Sequence, residues 1–163
     1  MPESAQWPEV SADIPAYAGL VARNARLIAR ADALAGFDHI KLRLPPRADM
    51  PLPAFANSYV PATRDALLFA QGKRQEALGN VCRGITGWRR HAANTDMLIA
   101  SMVANAHAAD GYGSLFADML AAMPADAPIP GQCRLALADV RPAELSLCEA
   151  MKGEFAFGDN GMR

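Results

Sequence analysis

Three histidines, three cysteines and a run of arginines carry most of the chemistry this chain could offer. His107 and Asp110 stand three residues apart, a spacing that brings an imidazole and a carboxylate to one helical face, where they could share a metal ion or form an oriented base. A metal-dependent hydrolase would complete the pair with His91, and His39, Glu149 or Glu154 are the other sources of a third ligand. Nothing in the spacing demands that third ligand, and the plainer reading is a histidine near a helix end whose charge complements the helix dipole. Asp38 and His39 are adjacent in sequence, so their side chains point apart, and no serine or cysteine elbow accompanies them. No phosphate-binding loop, dinucleotide fingerprint, zinc-knuckle spacing or HExxH run is present. The expectation is therefore no catalytic residue, no metal and no cofactor.

The densest basic and aromatic cluster is Trp88-Arg89-Arg90-His91, with Arg83 one to two turns earlier. Trp88 continues an apolar stripe and is expected to pack, while Arg83, Arg89 and Arg90 are expected to project outward as a surface for another protein. Phe55 and Tyr59, in a proline-rich stretch, are the second binding candidates. The formal net charge of −1 leaves no global positive field, which argues against nucleic acid as a partner. Met97, Met102, Met119 and Met123 read as flexible core filler rather than an adaptable surface.

The cysteines bear on compartment. Cys82 falls within an apolar stripe and reads as a buried thiol, whereas Cys133 and Cys148 flank two short helices with little apolar surface. In an oxidising compartment Cys133 and Cys148 are expected to form the disulfide; the alternative is three reduced thiols in the cytosol. A periplasmic or envelope-facing location is slightly favoured. No run approaches the ~20 apolar residues of a membrane span, and MPESAQWPEV lacks the layout of a signal peptide.

These residues need helices to position them. The 34 alanines supply the best helix former, because fixing alanine costs no side-chain entropy. Residues 1–15, with Pro2, Pro8 and Pro15, read as an extended leader. A helix over 16–35 follows, with Tyr17, Leu20, Val21, Leu27, Ile28 and Leu34 at helical spacing, an alanine stripe beside them, and Arg23, Arg26 and Arg30 on the remaining face. Residues 41–61 carry five prolines and read as a loop or arm packed through Leu52, Phe55 and Tyr59.

Residues 61–123 repeat one amphipathic layout three times, through Ala77 to Trp88, Leu98 to Ala106 and Leu115 to Met123. Breaks are expected at Gln71-Gly72, at Ala93-Asn94 and at Asp110–Gly113. Short connections make the three helices antiparallel neighbours. Short helices at 132–138 and 142–152 and a flexible tail over 156–163 complete the chain.

The stretch Phe69-Ala70-Gln71-Gly72-Lys73-Arg74-Gln75-Glu76-Ala77-Leu78, with Val81 and Ile85 downstream, resembles the middle of a tetratricopeptide repeat. In that family a small residue at the turn, matched by Gly72, precedes a second helix opening with Glu-Ala, matched by Glu76-Ala77. A poorer echo runs from Thr95 to Pro124 with Gly111 at the turn, and Gly79, Gly84 and Gly87 depart from the pattern. The resemblance implies helical hairpins rather than a regular solenoid. The expected fold is all-α, with antiparallel helical hairpins packed as one compact domain over 16–155. The expected function is a helical protein-binding module, such as an envelope protein that binds or neutralises a secreted effector. Its rivals are the hydrolase above and a structural subunit of a larger assembly, which would expose an apolar patch.

Overall fold

A computed structural model of the chain describes residues 7–44 and 50–161. The fold is all-α: no strand occurs among the described residues, and the one isolated bridge joins Ile40 to Thr95. The helices are α1 (Trp7–Ala12), α2 (Ile14–Arg23), α3 (Ala25–Leu34), α4 (Val60–Ala70), α5 (Arg74–Ala93), α6 (Leu98–Ala106), α7 (Ser114–Ala121), α8 (Cys133–Ala136) and α9 (Cys148–Gly161). Phe55–Tyr59 and Pro142–Leu145 form short 3-10 turns.

The core is built around α5. Its stripe Ala77, Leu78, Val81, Cys82, Ile85 and Trp88 is buried throughout, as its regular helical spacing predicts. The α4–α5 connection turns on Gly72, whose φ of 85° lies in the left-handed region that favours glycine. Gly84 lies under the Tyr112 ring, 2.6 Å from where a Cβ would sit, and Gly87 lies under Ala35 at 2.7 Å. Glycines that depart from a repeat pattern are thus the points at which α5 lets its neighbours approach.

Three sequence expectations are corrected here. Of the extended leader, residues 1–6 lie outside the described residues, but Trp7–Ala12 is helical and belongs to the core: Val10 is fully buried and the Trp7 ring meets Phe69 edge-on at 5.3 Å. The apolar side chain at the centre of α1, packed against α4, makes this short helix worth forming. The expected flexible tail is helical through Gly161, with residues 162–163 outside the described residues. The expected break at Asp110–Gly113 is no break: His107–Gly113 winds as a π-helix joining α6 to α7, so 98–121 is one continuous helix.

The face that α6 buries is also corrected. Ala100, Ser101 and Ala104 point inward, whereas Ile99 and Met102 are exposed. Close approach to α5 selects the small side chains, so the larger ones turn out. The helix read as one piece over 16–35 is two, divided at Asn24, whose ψ of 14° is not helical; Asn24 N closes α2 on Leu20 O at 3.1 Å, and Asn24 O accepts from Ile28 N at 2.9 Å to open α3. The alanine stripe beside it receives no helix; Ala22, Ala25, Ala29 and Ala33 are exposed. Within the proline-rich arm, residues 45–49 lie outside the described residues.

Candidate functional site

Two of the three histidines, His91 and His107, come together around Trp88, and His39 is exposed. His107 opens the π-helical segment, where its ring lies 4.5 Å from Trp88 and 3.7 Å from Tyr59, centroid to centroid. His91, one turn after Trp88 on α5, meets the same indole at 5.5 Å. Asp110 is exposed, and no cluster of three metal-ligating side chains occurs among the described residues.

His107 Nε2 shares a hydrogen bond with Ser58 Oγ, and both groups are buried. The direction of this bond decides what the pair can do. Ser58 Oγ also bonds the carbonyl of Phe55, which can only accept, so the single hydroxyl proton goes there. His107 must then donate its Nε2 proton to Ser58. A nucleophilic serine needs the reverse, an imidazole nitrogen accepting its proton. The remaining nitrogen, Nδ1, is buried with no hydrogen-bond partner, so no carboxylate orients the ring. Burial lowers the His107 pKa to about 4 and keeps the ring neutral. His91 is wired alike: its Nε2 donates to Leu34 O at 2.7 Å, and burial lowers its pKa. Both rings hold elements together.

Of the arginine face, Arg89 is turned into the molecule, Arg90 is half-buried, and Arg83 stays exposed. Arg89, expected to project, reaches instead across α8: Nη1 donates to Ala136 O at 2.9 Å and Ala138 O at 3.0 Å, and Nη2 pairs with Glu144 at 2.8 Å. Its guanidinium thereby caps the carbonyls that a four-residue helix leaves open. Arg90 donates to Ala35 O at 2.7 Å, and Arg83 pairs with Asp32 at 3.1 Å. Asp32 also receives Arg64, which in turn meets the buried Asp65 at 2.8 Å. Burial raises the Asp65 carboxyl to about 7, against the pull of Arg64 and Asn80. Tyr59 turns inward through its ring on His107, and Phe55 lends its backbone carbonyl to Ser58 with its side chain half-buried.

The disulfide joins Cys82 to Cys133, with Cα atoms 4.9 Å apart, and Cys148 is an exposed free thiol. The expected Cys133–Cys148 bridge is thus corrected. Cys82 faces α8 from the buried stripe of α5, and Cys133 opens α8 with no exposed surface, whereas α9 carries Cys148 to the outside.

What sequence reading missed is the surface left open by these inward contacts. Between 135 and 155, Leu135, Leu137, Val140, Leu145, Met151 and Phe155 are all more than half exposed, Leu145 at 71% and Phe155 at 80%. Leu137, Val140 and Leu145 border a groove of about 350 Å³ whose opposite wall includes Ile85 and Ala108. Arg89 and Glu144 line the same groove with their charges spent on each other. The only signal in the sequence was the poor apolar periodicity of 133–155, which fits no inward-facing stripe. No helix among the described residues is long and apolar enough to cross a membrane. Comparison with protein-family models, with curated proteins and with solved structures finds no match to this chain.

Proposed function

We propose that this is a helical protein-binding domain whose docking surface is the apolar outer face of residues 135–155. The exposure of Leu145 and Phe155, beside Leu135, Leu137, Val140 and Met151, carries the reading. Single exposed leucines are ordinary, but several on one short segment mark a surface that another protein covers. The occupant is an apolar face of a different protein, of the kind that forms long-lived complexes, because the groove holds no unpaired charge with which to recruit a polar one. The resemblance of 69–85 to a tetratricopeptide hairpin supports the same class of function. The Cys82–Cys133 bridge supports an oxidising compartment, such as a bacterial envelope, as the place of action.

The test uses the oxidised protein and a Leu145→Asp/Phe155→Asp variant, each immobilised and exposed to an envelope fraction of the native host. A protein captured by wild type is then purified and titrated against both. Binding weakened by about a hundredfold or more in the variant, at unchanged melting temperature, is the expected outcome. Equal affinity for both proteins overturns the assignment of this face. Concentration-dependent self-association of wild type in light scattering would replace the foreign partner by a second copy.

A further inference from the structure

A second surface differs from the first in carrying unspent charge. Along α2 and α3, Leu20, Leu27 and Leu34 recur every seventh residue and are 36–42% exposed. Arg23 and Arg30 recur at the same interval beside them, and Arg26 lies on the same outer side. All three arginines are exposed and pair with no carboxylate among the described residues. Asn24 ends α2 and begins α3, so the interval spans two helices, yet Leu20 of α2 and Leu27 of α3 border one groove.

In sequence, the pattern across the two helices is a heptad one. With Leu20, Leu27 and Leu34 at the d positions, Tyr17, Asn24 and Ala31 fall at a, and Arg23 and Arg30 at g. The a residues are half-buried, and the Asn24 amide donates to the Leu20 carbonyl at 2.9 Å. The e positions, Val21 and Ile28, are turned into the domain. The leucines do not stand out as a membrane-penetrating ridge. Leu20 and Leu27 border a groove of about 280 Å³ whose other side is Asn57, Val60 and Thr63, a concavity suited to one further helix.

Charge selects the occupant. Asp32 is the one acidic residue in 14–34, and it is already held by Arg64 and Arg83. A second copy of this face therefore brings no carboxylate to Arg23 or Arg30. We propose that the α2–α3 face receives an acidic amphipathic helix of a partner protein, its apolar seam on Leu20, Leu27 and Leu34 and its carboxylates on Arg23 and Arg30.

The probe is a synthetic three-heptad peptide with leucine at d, isoleucine at a and glutamate at e and g, compared with its lysine counterpart and with phosphatidylglycerol vesicles. The full oxidised chain should bind the acidic peptide, more weakly as salt is raised, and bind the lysine peptide at least tenfold less well. Arg23→Glu/Arg30→Glu should lose about tenfold in affinity for the acidic peptide and gain affinity for the lysine one, with the melting temperature unchanged. Leu27→Asp should abolish binding of both. Equal binding of the two peptides, or acidic-peptide binding untouched by the arginine reversal, overturns the proposal. Binding to the vesicles without binding to the peptide overturns it in favour of a lipid surface.

Discussion

The interior around α5 and the outer C-terminal segment invert the usual distribution of side chains in opposite senses. Around α5, Asp65, His91, Thr95 and His107 are buried, whereas residues 135–155 put leucines, a methionine and a phenylalanine into solvent. The buried polar groups have partners the fold itself supplies: Asp65 has Arg64 and Asn80, His91 the Leu34 carbonyl, His107 the Ser58 hydroxyl. The exposed apolar groups have none. Asp65, His91 and His107 are each met on one atom only, with Asp65 Oδ2, His91 Nδ1 and His107 Nδ1 left unpaired, and the larger unmet demand lies outside, on surfaces that by residue type look inert.

If that contrast is right, changes inside should cost stability and changes outside should cost association. The largest effect is expected from Cys133→Ser, which opens the bridge docking α8 onto α5. On the chain-entropy account, closing a loop of 51 residues contributes roughly 4 kcal/mol, read as the drop in denaturant-unfolding free energy under oxidising conditions. Peptide mapping of alkylated, unreduced protein should show Cys148 alone modified. A variant as stable as wild type would detach the outer segment from the core energetically and collapse the contrast.

A smaller loss, about 2 to 3 kcal/mol, is expected for Arg89→Gln, because the carbonyls of Ala136 and Ala138 and the Glu144 carboxylate lose a shared charged donor. A surface arginine would cost under about 0.5 kcal/mol, so the melting shift separates a clamp from a docking residue.

Smaller again is the pH effect of His107. Its folded pKa of about 4 lies below the ordinary 6.5, so the unfolded chain takes up the proton first. The stability it contributes is complete above pH 6.5 and is lost as pH falls through 4, on the order of 2 kcal/mol. Asp65, raised to about 7, acts with the opposite sign across much of the same range. Comparing wild type with His107→Gln at pH 6.5 and 4.5 cancels the Asp65 contribution. An identical pH slope in the two proteins would mean that His107 is hydrated rather than sealed in.

How much of this was legible follows from which forces act locally. The α5 stripe from Ala77 to Trp88 could be read because large side chains at regular helical spacing leave one face to bury. The inward face of α6 could not, since Leu98, Ile99, Met102 and Val103 outweigh Ala100, Ser101 and Ala104 on any scale of hydrophobicity. Close packing rewards small size there instead. Asp110-Gly111-Tyr112-Gly113 carried the signature of a turn, yet Tyr112 is buried against Gly84 and the helix runs through. The fate of Arg89 depended on carbonyls some 47 to 49 residues away, and the partner of Cys82 lay 51 residues away. Neither distance leaves a mark in local spacing. The outer apolar surface was foreseen only as the test of an assembly role, without its residues.

The Cys82–Cys133 bridge also has a mechanical meaning. Tension applied between the two ends of this chain would cross from α5 to α8 through the sulfur atoms and bypass the 51-residue span between them. Roughly 170 Å of extended chain would stay stored inside the covalent ring however far the rest was drawn out. The long central helix, its π-helical segment and His107 all lie within that span. Under load, the oxidised domain would lengthen only through the residues outside that span, and reduction would be the event that releases the remainder.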